Sequence, residues 1–205
     1  MFGDMDVKRE IYKIWKYIVN LKKDIDTIDN NSFGVLSDKD IKNRINELFN
    51  SPISLNDIQP ASVDLHLSDE LIDLDGVISV LEYGEEYVLQ PGEFILGSTS
   101  EIVTIPNDLV AQVDGKSSIG RLGVAIHITA GFIDPCFNGN ITLEIKNVSN
   151  KPFILRKDMS IAQIVFFTLS SPCERGYGSN GLNSKYQNSY GTIRSRYDGY
   201  AKKEN

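Results

Sequence analysis

The sequence predicts an all-β domain with helices at its N-terminus. From Ile58 onward, apolar residues recur at every second position in short runs, as expected of half-buried strands. Turn residues (Pro, Gly, Asn and Asp) separate these runs, and no helical pattern lies between them. Many short strands without intervening helices indicate a β-sandwich or barrel. The length of 205 residues suits one domain with a small appendage.

The first element is a predicted helix over residues 7–28. Its apolar positions are spaced alternately by four and three residues: Val7, Ile11, Ile14, Ile18, Leu21, Ile25 and Ile28. This spacing forms a heptad seam, and Ile at both core positions favours a three-stranded coiled coil. The same stripe could instead pack on the chain's own body, next to Trp15 and Tyr17. The spacing leaves both interpretations open.

A second, short helix is predicted after a polar break at residues 29–34. Ser37 is its expected N-cap, and Asp40 three residues later completes a variant of the capping box. Ile41, Ile45 and Leu48 form its apolar face.

Strands occupy the rest of the predicted domain. Three of them alternate regularly, with apolar positions at Val63, Leu65 and Leu67, at Val124, Ile126 and Ile128, and at Ile141, Leu143 and Ile145. Further strands are predicted over residues 93–96, 109–113, 153–155 and 161–168. Beyond about residue 170 the periodicity ends and Gly, Ser, Asn and Tyr dominate, which predicts a mobile tail that could become ordered over a ligand.

Composition excludes several functional classes. The chain has two cysteines, at positions 136 and 173, and two histidines, at 66 and 127, which excludes a disulfide framework and a zinc site of CxxC type. No apolar run reaches the roughly 18 residues of a membrane-spanning helix and no signal peptide opens the chain. We therefore expect a cytoplasmic protein without a membrane partner.

The charge distribution points to an anion rather than to a nucleic acid. The net charge is −7 and the pI is about 4.9, which argues against nonspecific binding to DNA or RNA. However, residues 1–114 carry a net charge of −13 and residues 115–205 carry +6. The second part could therefore hold a local anion site, although the same cations would also suit a solvated surface.

Candidate chemistry concentrates between Gly115 and Asn147. The segment Gly115–Arg121 places two serines, a lysine and an arginine around flexible glycines, and these groups suit a phosphate. The same composition is common in surface turns, and the first glycine of a P-loop is missing, so a Walker-type NTPase is disfavoured. Glu144 lies on the polar face of its predicted strand; such a residue is usually solvated and becomes a catalytic candidate if that face is covered.

Several segments together resemble the dCTP deaminase family of the dUTPase superfamily. They are Ile58–Leu65, Gly115–Gly123, His127–Pro135, Gly139–Glu144, Tyr177–Ser179 and Ser184–Gln187. The resemblance covers roughly residues 35–197 and keeps the motifs in order, whereas residues 1–34 have no counterpart in it.

The resemblance implies a fold and an assembly. The expected fold is a distorted β jelly roll or barrel that forms a homotrimer with active sites between subunits. It also implies a dUTPase-like β domain over 35–170 and a C-terminal tail over 171–205 that closes over the nucleotide. The heptad spacing, not the resemblance, predicts the helical extension over residues 1–34 (the possible trimeric coil).

The resemblance also implies a reaction. Family members hydrolyse the 4-amino group of dCTP without zinc, and some continue from dUTP to dUMP and pyrophosphate. The expected ligands are dCTP and dUTP, with Mg²⁺ bound through the triphosphate and dTTP as a feedback inhibitor. A dUTPase without deaminase activity and a nucleotide-binding regulatory protein remain the alternatives.

The family's functional positions map onto this chain residue by residue. Glu144 corresponds to the catalytic group that deprotonates the attacking water, protonates N3 of cytosine and passes a proton to the departing ammonia. Ser117 and Arg121 correspond to catalytic positions near the triphosphate and the water. The substrate-binding positions are Lys116, Ser118, Thr129, Ala130, Asp134, Gln163, Tyr177, Lys185 and Gln187.

These binding positions imply different contacts. Lys116 and Lys185 would add positive charge at the phosphates. The backbone around Thr129 and Ala130 would contact the cytosine edge, and Asp134 would contact the deoxyribose 3′-hydroxyl.

Three positions depart from the family pattern. Lys116 stands where an arginine is usual, which keeps the charge and loses the bidentate fork. Cys136 replaces a glycine, so a positive φ there would cost about 1 kcal/mol or more. Ser189 stands where a phosphate-contacting glutamine is common. We expect these departures to tune the activity rather than to abolish it.

Overall fold

The structure is a computed structural model that describes residues 12–20 and 34–197. The chain divides into two units, Met1–Gly34 and Val35–Asn205. None of the described helices is long and apolar enough to span a membrane.

In the first unit, residues 12–20 are helical. Five of their large side chains are each more than half exposed: Tyr12, Ile14, Trp15, Tyr17 and Ile18. The rings of Tyr12 and Trp15 stack with their centroids 6.1 Å apart. The other seam positions of the predicted helix (Val7, Ile11, Leu21, Ile25 and Ile28) lie outside the described residues.

The second unit begins with helix α1, Asp38–Leu48. The capping box predicted at its start is confirmed, because the Ser37 hydroxyl accepts a hydrogen bond from the Asp40 amide while the Asp40 carboxylate accepts one from the Ser37 amide. Ile41 and Leu48 are buried, as the apolar face predicts. A short 3₁₀ turn follows at Leu55–Asp57.

Fourteen strands and one short helix are described after this turn. They are β1 Ile58–Gln59, β2 Ser62–His66, β3 Glu70–Asp73, β4 Ile78–Val80, β5 Tyr87–Leu89, β6 Phe94–Ser98, β7 Val103–Thr104, β8 Leu109–Gly115, helix α2 Ser117–Gly120, β9 Val124–Ile126, β10 Phe132–Ile133, β11 Asn138–Gly139, β12 Thr142–Asn147, β13 Phe153–Leu155 and β14 Ser160–Thr168.

The strands form two five-stranded sheets, with orders β1-β2-β14-β8-β10 and β4-β3-β6-β12-β9, and two smaller pairs, β11-β7 and β13-β5. All of these pairings are antiparallel. The prediction of a mostly β fold with few helices is confirmed. The described sheets stay open, so the expected barrel is not formed by residues 34–197.

The apolar faces of the two large sheets supply buried side chains to the core. The first sheet contributes Val63, Leu65, Ile164 and Phe166, and the second contributes Ile95, Leu143 and Ile145. Because the side chains of β12 alternate, burial of Leu143 and Ile145 turns Glu144 to the opposite face. The predicted alternation in β12 is therefore confirmed.

Two details of the strands depart from simple alternation. Asp64 alternates with Val63 and Leu65 in β2, yet it is buried as they are, with 8% of its surface exposed, and the Lys116 ammonium pairs with it. Ile128 was expected to continue β9, but the strand ends at Ile126 because His127 takes a positive φ of 59°. The chain then turns toward Glu144.

Candidate active site

A cavity of about 460 Å³ lies on the polar face of the second sheet. Strands β6 and β12 contribute Phe94, Leu96, Thr142 and Glu144 to its wall. The segment between β9 and β12 contributes His127 and Asp134 among others, and the C-terminal tail lines another side. Glu144 therefore lies in a cavity and not on an open strand face. A covered face was the condition for treating it as a catalytic candidate.

The Glu144 carboxylate is held by Thr129. The Thr129 amide donates to Oε2 at 3.2 Å and the Thr129 hydroxyl donates to the same oxygen at 3.1 Å. The main chain aligns the two segments, because the His127 amide donates to the Glu144 carbonyl at 2.7 Å. Hydrogen bonds of this kind fix the orientation of the carboxylate.

The turn at residues 127–130 depends on His127. Its ring Nε2 lies 2.8 Å from the carbonyl oxygen of Ala130, which closes the turn. Its Nδ1 is buried and has no hydrogen-bond partner among the described residues. The positive φ of His127 and this ring contact together place Thr129 beside the carboxylate.

The loop after this turn requires a close backbone approach at Gly131. A Cβ at this position would lie 2.5 Å from the Val113 carbonyl oxygen, so only glycine fits. Strand β10 pairs with β8 immediately afterwards, Phe132 opposite Gln112 and Ile133 opposite Ala111. Asp134 follows the end of β10 and is exposed at the mouth of the cavity.

Cys136 has a φ of 68°, in the left-handed region. A cysteine at this position was expected to be strained if its φ is positive. The strain, about 1 kcal/mol or more, therefore applies. The Cys136 amide is nevertheless bonded to the Ile105 carbonyl at 2.7 Å. The main-chain hydrogen bonds of the loop are thus retained in spite of the substitution.

The C-terminal tail is held along the edge of β11. The Tyr177 amide donates to the Pro135 carbonyl at 2.7 Å, and the Asn140 amide donates to the Ser189 carbonyl at 2.9 Å. The Tyr177 ring packs on Phe137 with the centroids 5.9 Å apart. A composition rich in Gly, Ser and Asn suggested mobility, but residues 171–197 have this defined path.

Gln187 holds the tail in place through the nitrogen and the oxygen of its side-chain amide. Its Nε2 donates to the Cys136 carbonyl at 2.8 Å, and its Oε1 accepts from the Asn138 amide at 3.1 Å. The structure therefore gives Gln187 a role in positioning the tail. Ser189 is buried nearby, and its hydroxyl has no hydrogen-bond partner among the described residues.

A second cavity, of about 400 Å³, adjoins the first. The two share Asp134, Tyr177 and Tyr186, and the second adds Arg175 and Lys185. The Lys185 ammonium donates to the Arg196 carbonyl at 3.0 Å and lies 5.6 Å from the centre of the Tyr197 ring. Cationic groups therefore lie next to the cavity that holds Glu144.

The structure gathers some of the predicted site residues and separates others. Glu144, Thr129, Ala130, Asp134 and Tyr177 lie at or beside the first cavity, and Lys185 lines the second. Another group lines neither cavity in this chain: Lys116, Ser117, Ser118, Arg121 and Gln163.

The separated residues have other surroundings. Ser117, Ser118 and Arg121 are exposed on and after α2. Lys116 pairs with Asp64 and donates to the Ser160 hydroxyl at 3.1 Å. Gln163 is half-buried in β14, between Asp64 and Asp114 of the neighbouring strands.

Sequence reasoning assigned no site role to His127, Tyr186 or Arg175, which line the two cavities. His127 was assigned to the polar side of a continuous strand, because period-two alternation does not show a positive φ. Tyr186 and Arg175 lie in the tail, where no periodicity was present to orient them. Tyr186 lies within the motif Ser184–Gln187, whereas Arg175 precedes the motif Tyr177–Ser179 by two residues and had no sequence signal.

Comparison with known proteins agrees with the motifs. Residues 35–169 match the dCTP deaminase-like family. The chain is 46% identical over 180 residues to the "dCTP deaminase, dUMP-forming" of Nocardia farcinica, covering 79% of this chain and 90% of that protein. It is 42% identical over 187 residues to the protein of the same description from Halobacterium salinarum, covering 80% and 95%.

A solved structure shares the fold. The 2′-deoxycytidine 5′-triphosphate deaminase of Agrobacterium tumefaciens superposes with a TM-score of 0.59 and 22% sequence identity. The superposition covers 68% of this chain and 49% of that longer one. At this identity the match concerns the fold.

Proposed function

The chain belongs to the dCTP deaminase-like family, and from this premise we propose that it hydrolyses dCTP to dUTP and ammonia and then dUTP to dUMP and pyrophosphate. One observation carries the proposal: the Glu144 carboxylate projects from β12 into a covered cavity and is held there by Thr129. The second step is proposed because the relatives from Nocardia farcinica and Halobacterium salinarum are described as dUMP-forming.

Deamination requires a group that moves protons between water, the pyrimidine ring and the leaving amine. In the proposed mechanism, Glu144 removes a proton from water as the oxygen bonds to C4 of cytosine, and N3 receives a proton. The C4–N bond then breaks, and the amine leaves as ammonia after accepting a further proton through Glu144. The net reaction consumes one water and yields dUTP and ammonia.

The turn at residues 127–130 is the proposed contact for the base. The Thr129 amide and hydroxyl already point at the Glu144 carboxylate, so the backbone beside them lies next to the reacting position. Phe94, Leu96 and Phe132 give the same cavity apolar walls that suit a pyrimidine ring. Asp134 at the mouth is the proposed partner of the deoxyribose 3′-hydroxyl.

The second cavity is the proposed location of part of the triphosphate. Lys185 and Arg175 supply positive charge there, and Tyr177 and Tyr186 connect it to the first cavity. Among residues 12–20 and 34–197, no group of three or more His, Cys, Asp or Glu side chains is arranged to hold a metal ion. Mg²⁺ is proposed to bind through the phosphate oxygens of the substrate.

The remaining functional positions require a second subunit in this proposal. Ser117 and Arg121 are exposed on and after α2 and do not line the Glu144 cavity of their own chain. In a homotrimer with jelly-roll subunits, α2 of one subunit would complete the cavity of its neighbour. Arg121 would then reach the triphosphate, and Ser117 the attacking water. dTTP, which shares the deoxyribose and triphosphate, would compete for the same site.

Product analysis tests the proposal. Purified protein is incubated with dCTP and Mg²⁺, ammonia is quantified enzymatically, and dUTP, dUMP and pyrophosphate are separated by ion-exchange chromatography. The proposal predicts equimolar ammonia, dUMP and pyrophosphate. Accumulation of dUTP would identify a deaminase that stops after the first step. Pyrophosphate release from dUTP, with dCTP bound but unchanged, would identify a dUTPase instead.

A further inference from the structure

Cys136 and Cys173 are 37 positions apart in the sequence, yet the fold brings their thiols together. They are the only cysteines of the chain, and both are free and half-buried. The Cys136 amide donates to the Ile105 carbonyl at 2.7 Å, and the Cys173 amide donates to the Asn107 carbonyl at 2.8 Å. Because these carbonyls are two residues apart in one segment, the two cysteine backbones lie side by side along it.

The Cys136 side chain points at the beginning of the tail. A Cβ on Gly176, three residues after Cys173, would overlap the Cys136 sulfur. Burial raises the pKa of the Cys136 thiol, and the neighbouring Cys173 thiol raises it further through its charge and a hydrogen bond. The two thiols therefore lie next to each other.

We propose that Cys136 and Cys173 are a site of reversible oxidation, at which a low-molecular-weight disulfide such as oxidised glutathione links them into an intramolecular disulfide. One thiol loses its proton and attacks the small disulfide, which forms a mixed disulfide and releases one glutathione thiol. The second cysteine then attacks the protein sulfur and releases the other. Two protein thiols and one small disulfide become one protein disulfide and two small thiols.

The order of the two attacks does not change the product. Either cysteine can form the mixed disulfide, and the other then resolves it. Since the second step is intramolecular between adjacent thiols, the mixed species does not accumulate.

The cross-link would join the loop after Asp134 to the start of the tail. Cys136 also accepts the hydrogen bond from Gln187 through its carbonyl, and Tyr177 enters the cavity four residues after Cys173. The oxidised form would thus hold the tail entrance closed against the body. A bridge between residues 136 and 173 also restricts the unfolded chain, which stabilises the folded state.

Intact mass under non-reducing conditions tests the proposal on the full-length protein. Incubation with oxidised glutathione is expected to consume both thiols and to lower the mass by about 2 Da. Dithiothreitol should restore both thiols. A stable adduct that adds about 305 Da per cysteine, or a disulfide-linked dimer on a non-reducing gel, would overturn the proposal.

Single substitutions provide the matched controls. Cys136→Gly suits the positive φ at this position, and Cys173→Ser is nearly isosteric, so each folds without the pair. Oxidation should raise the melting temperature of the unsubstituted protein by roughly 5–10 °C and slow tryptic cleavage after the exposed Arg175. Oxidation should change neither the melting temperature nor the tryptic cleavage of either variant. If a variant changed as much as the unsubstituted protein, the oxidation site would not be the Cys136–Cys173 pair.

Discussion

Thr129 donates two hydrogen bonds to one oxygen of Glu144, from its amide at 3.2 Å and from its hydroxyl at 3.1 Å. The two residues come from different segments, and the positive φ of His127 brings them together. Any proton transfer through Glu144 therefore involves a carboxylate whose orientation is set by the turn at residues 127–130.

Thr129→Val should lower kcat for deamination by about tenfold, because it removes one hydrogen bond to a charged group and leaves the backbone bond in place. The matched control is Thr129→Ser, which keeps the hydroxyl and should retain most of the activity. Steady-state ammonia release at varied dCTP concentration separates kcat from KM. Equal activity of the valine and serine variants would show that the hydroxyl does not act on Glu144.

A mixed-oligomer experiment tests whether each active site combines two subunits. Arg121→Ala and Glu144→Gln are each expected to be inactive. If Arg121 acts on the Glu144 of a neighbouring subunit, random trimers from equal amounts of the two variants should contain about one quarter intact sites. The measurement is ammonia release after the variants are co-refolded or co-expressed. Activity that stays at the level of the separate variants would place both residues in one chain's site.

The ion pair between Arg44 of α1 and Asp108 predicts a pH-dependent contribution to stability. The two guanidinium nitrogens lie 2.8 and 2.9 Å from the two carboxylate oxygens. Hydrogen bonding by Arg44 lowers the pKa of Asp108 below its ordinary value. The ion pair therefore contributes fully to the free energy of unfolding above the ordinary pKa of an aspartate. The contribution is lost as the pH falls through the lowered pKa of Asp108.

Arg44→Gln should reduce the free energy of unfolding by about 1 kcal/mol at pH 7, and the difference from the unsubstituted protein should fade in acid. Urea unfolding at several pH values measures it. Lys42→Gln is the control. Because Lys42 pairs with the exposed Asp38 four residues earlier, this substitution should reduce the free energy of unfolding by less than Arg44→Gln. If the difference in free energy of unfolding between Arg44→Gln and the unsubstituted protein grew as the pH falls, the lowered pKa of Asp108 would be contradicted.

The heptad seam predicts that deletion of residues 1–30 lowers the stability of the trimer and leaves the active site intact. The side chains of Ile14 and Ile18, which belong to this seam, are more than half exposed in the single chain. Analytical ultracentrifugation and thermal unfolding of the deleted and full-length proteins measure the effect. An unchanged melting temperature and an unchanged oligomeric state would assign the segment a role outside assembly.

Local patterns in the sequence were sufficient for the secondary structure around Glu144. Alternation in β12 depends only on which face is buried, so Leu143 and Ile145 could be assigned to the core and Glu144 to the opposite face. The capping box at Ser37 is equally local. Such features are predictable because each is determined by residues within a few positions of one another.

Features that depend on long-range contacts could not be predicted in the same way. Asp64 is buried and pairs with Lys116, 52 positions away, a contact that alternation along β2 does not show. The path of the tail depends on main-chain bonds to residues 135–140 and on the Gln187 side chain, and period-two alternation shows neither. The family motifs predicted candidate site residues, but they did not show that α2 lies outside the cavity of its own chain.

The most direct test of the account compares ammonia release with dCTP binding in Glu144→Gln. The amide keeps the size of the side chain but cannot accept the proton of the attacking water. We predict that ammonia release falls at least 10³-fold while isothermal titration still detects dCTP binding of similar affinity; Glu82→Gln, at an exposed position outside both cavities, should change neither. Ammonia release near the unsubstituted rate in Glu144→Gln would contradict the central claim.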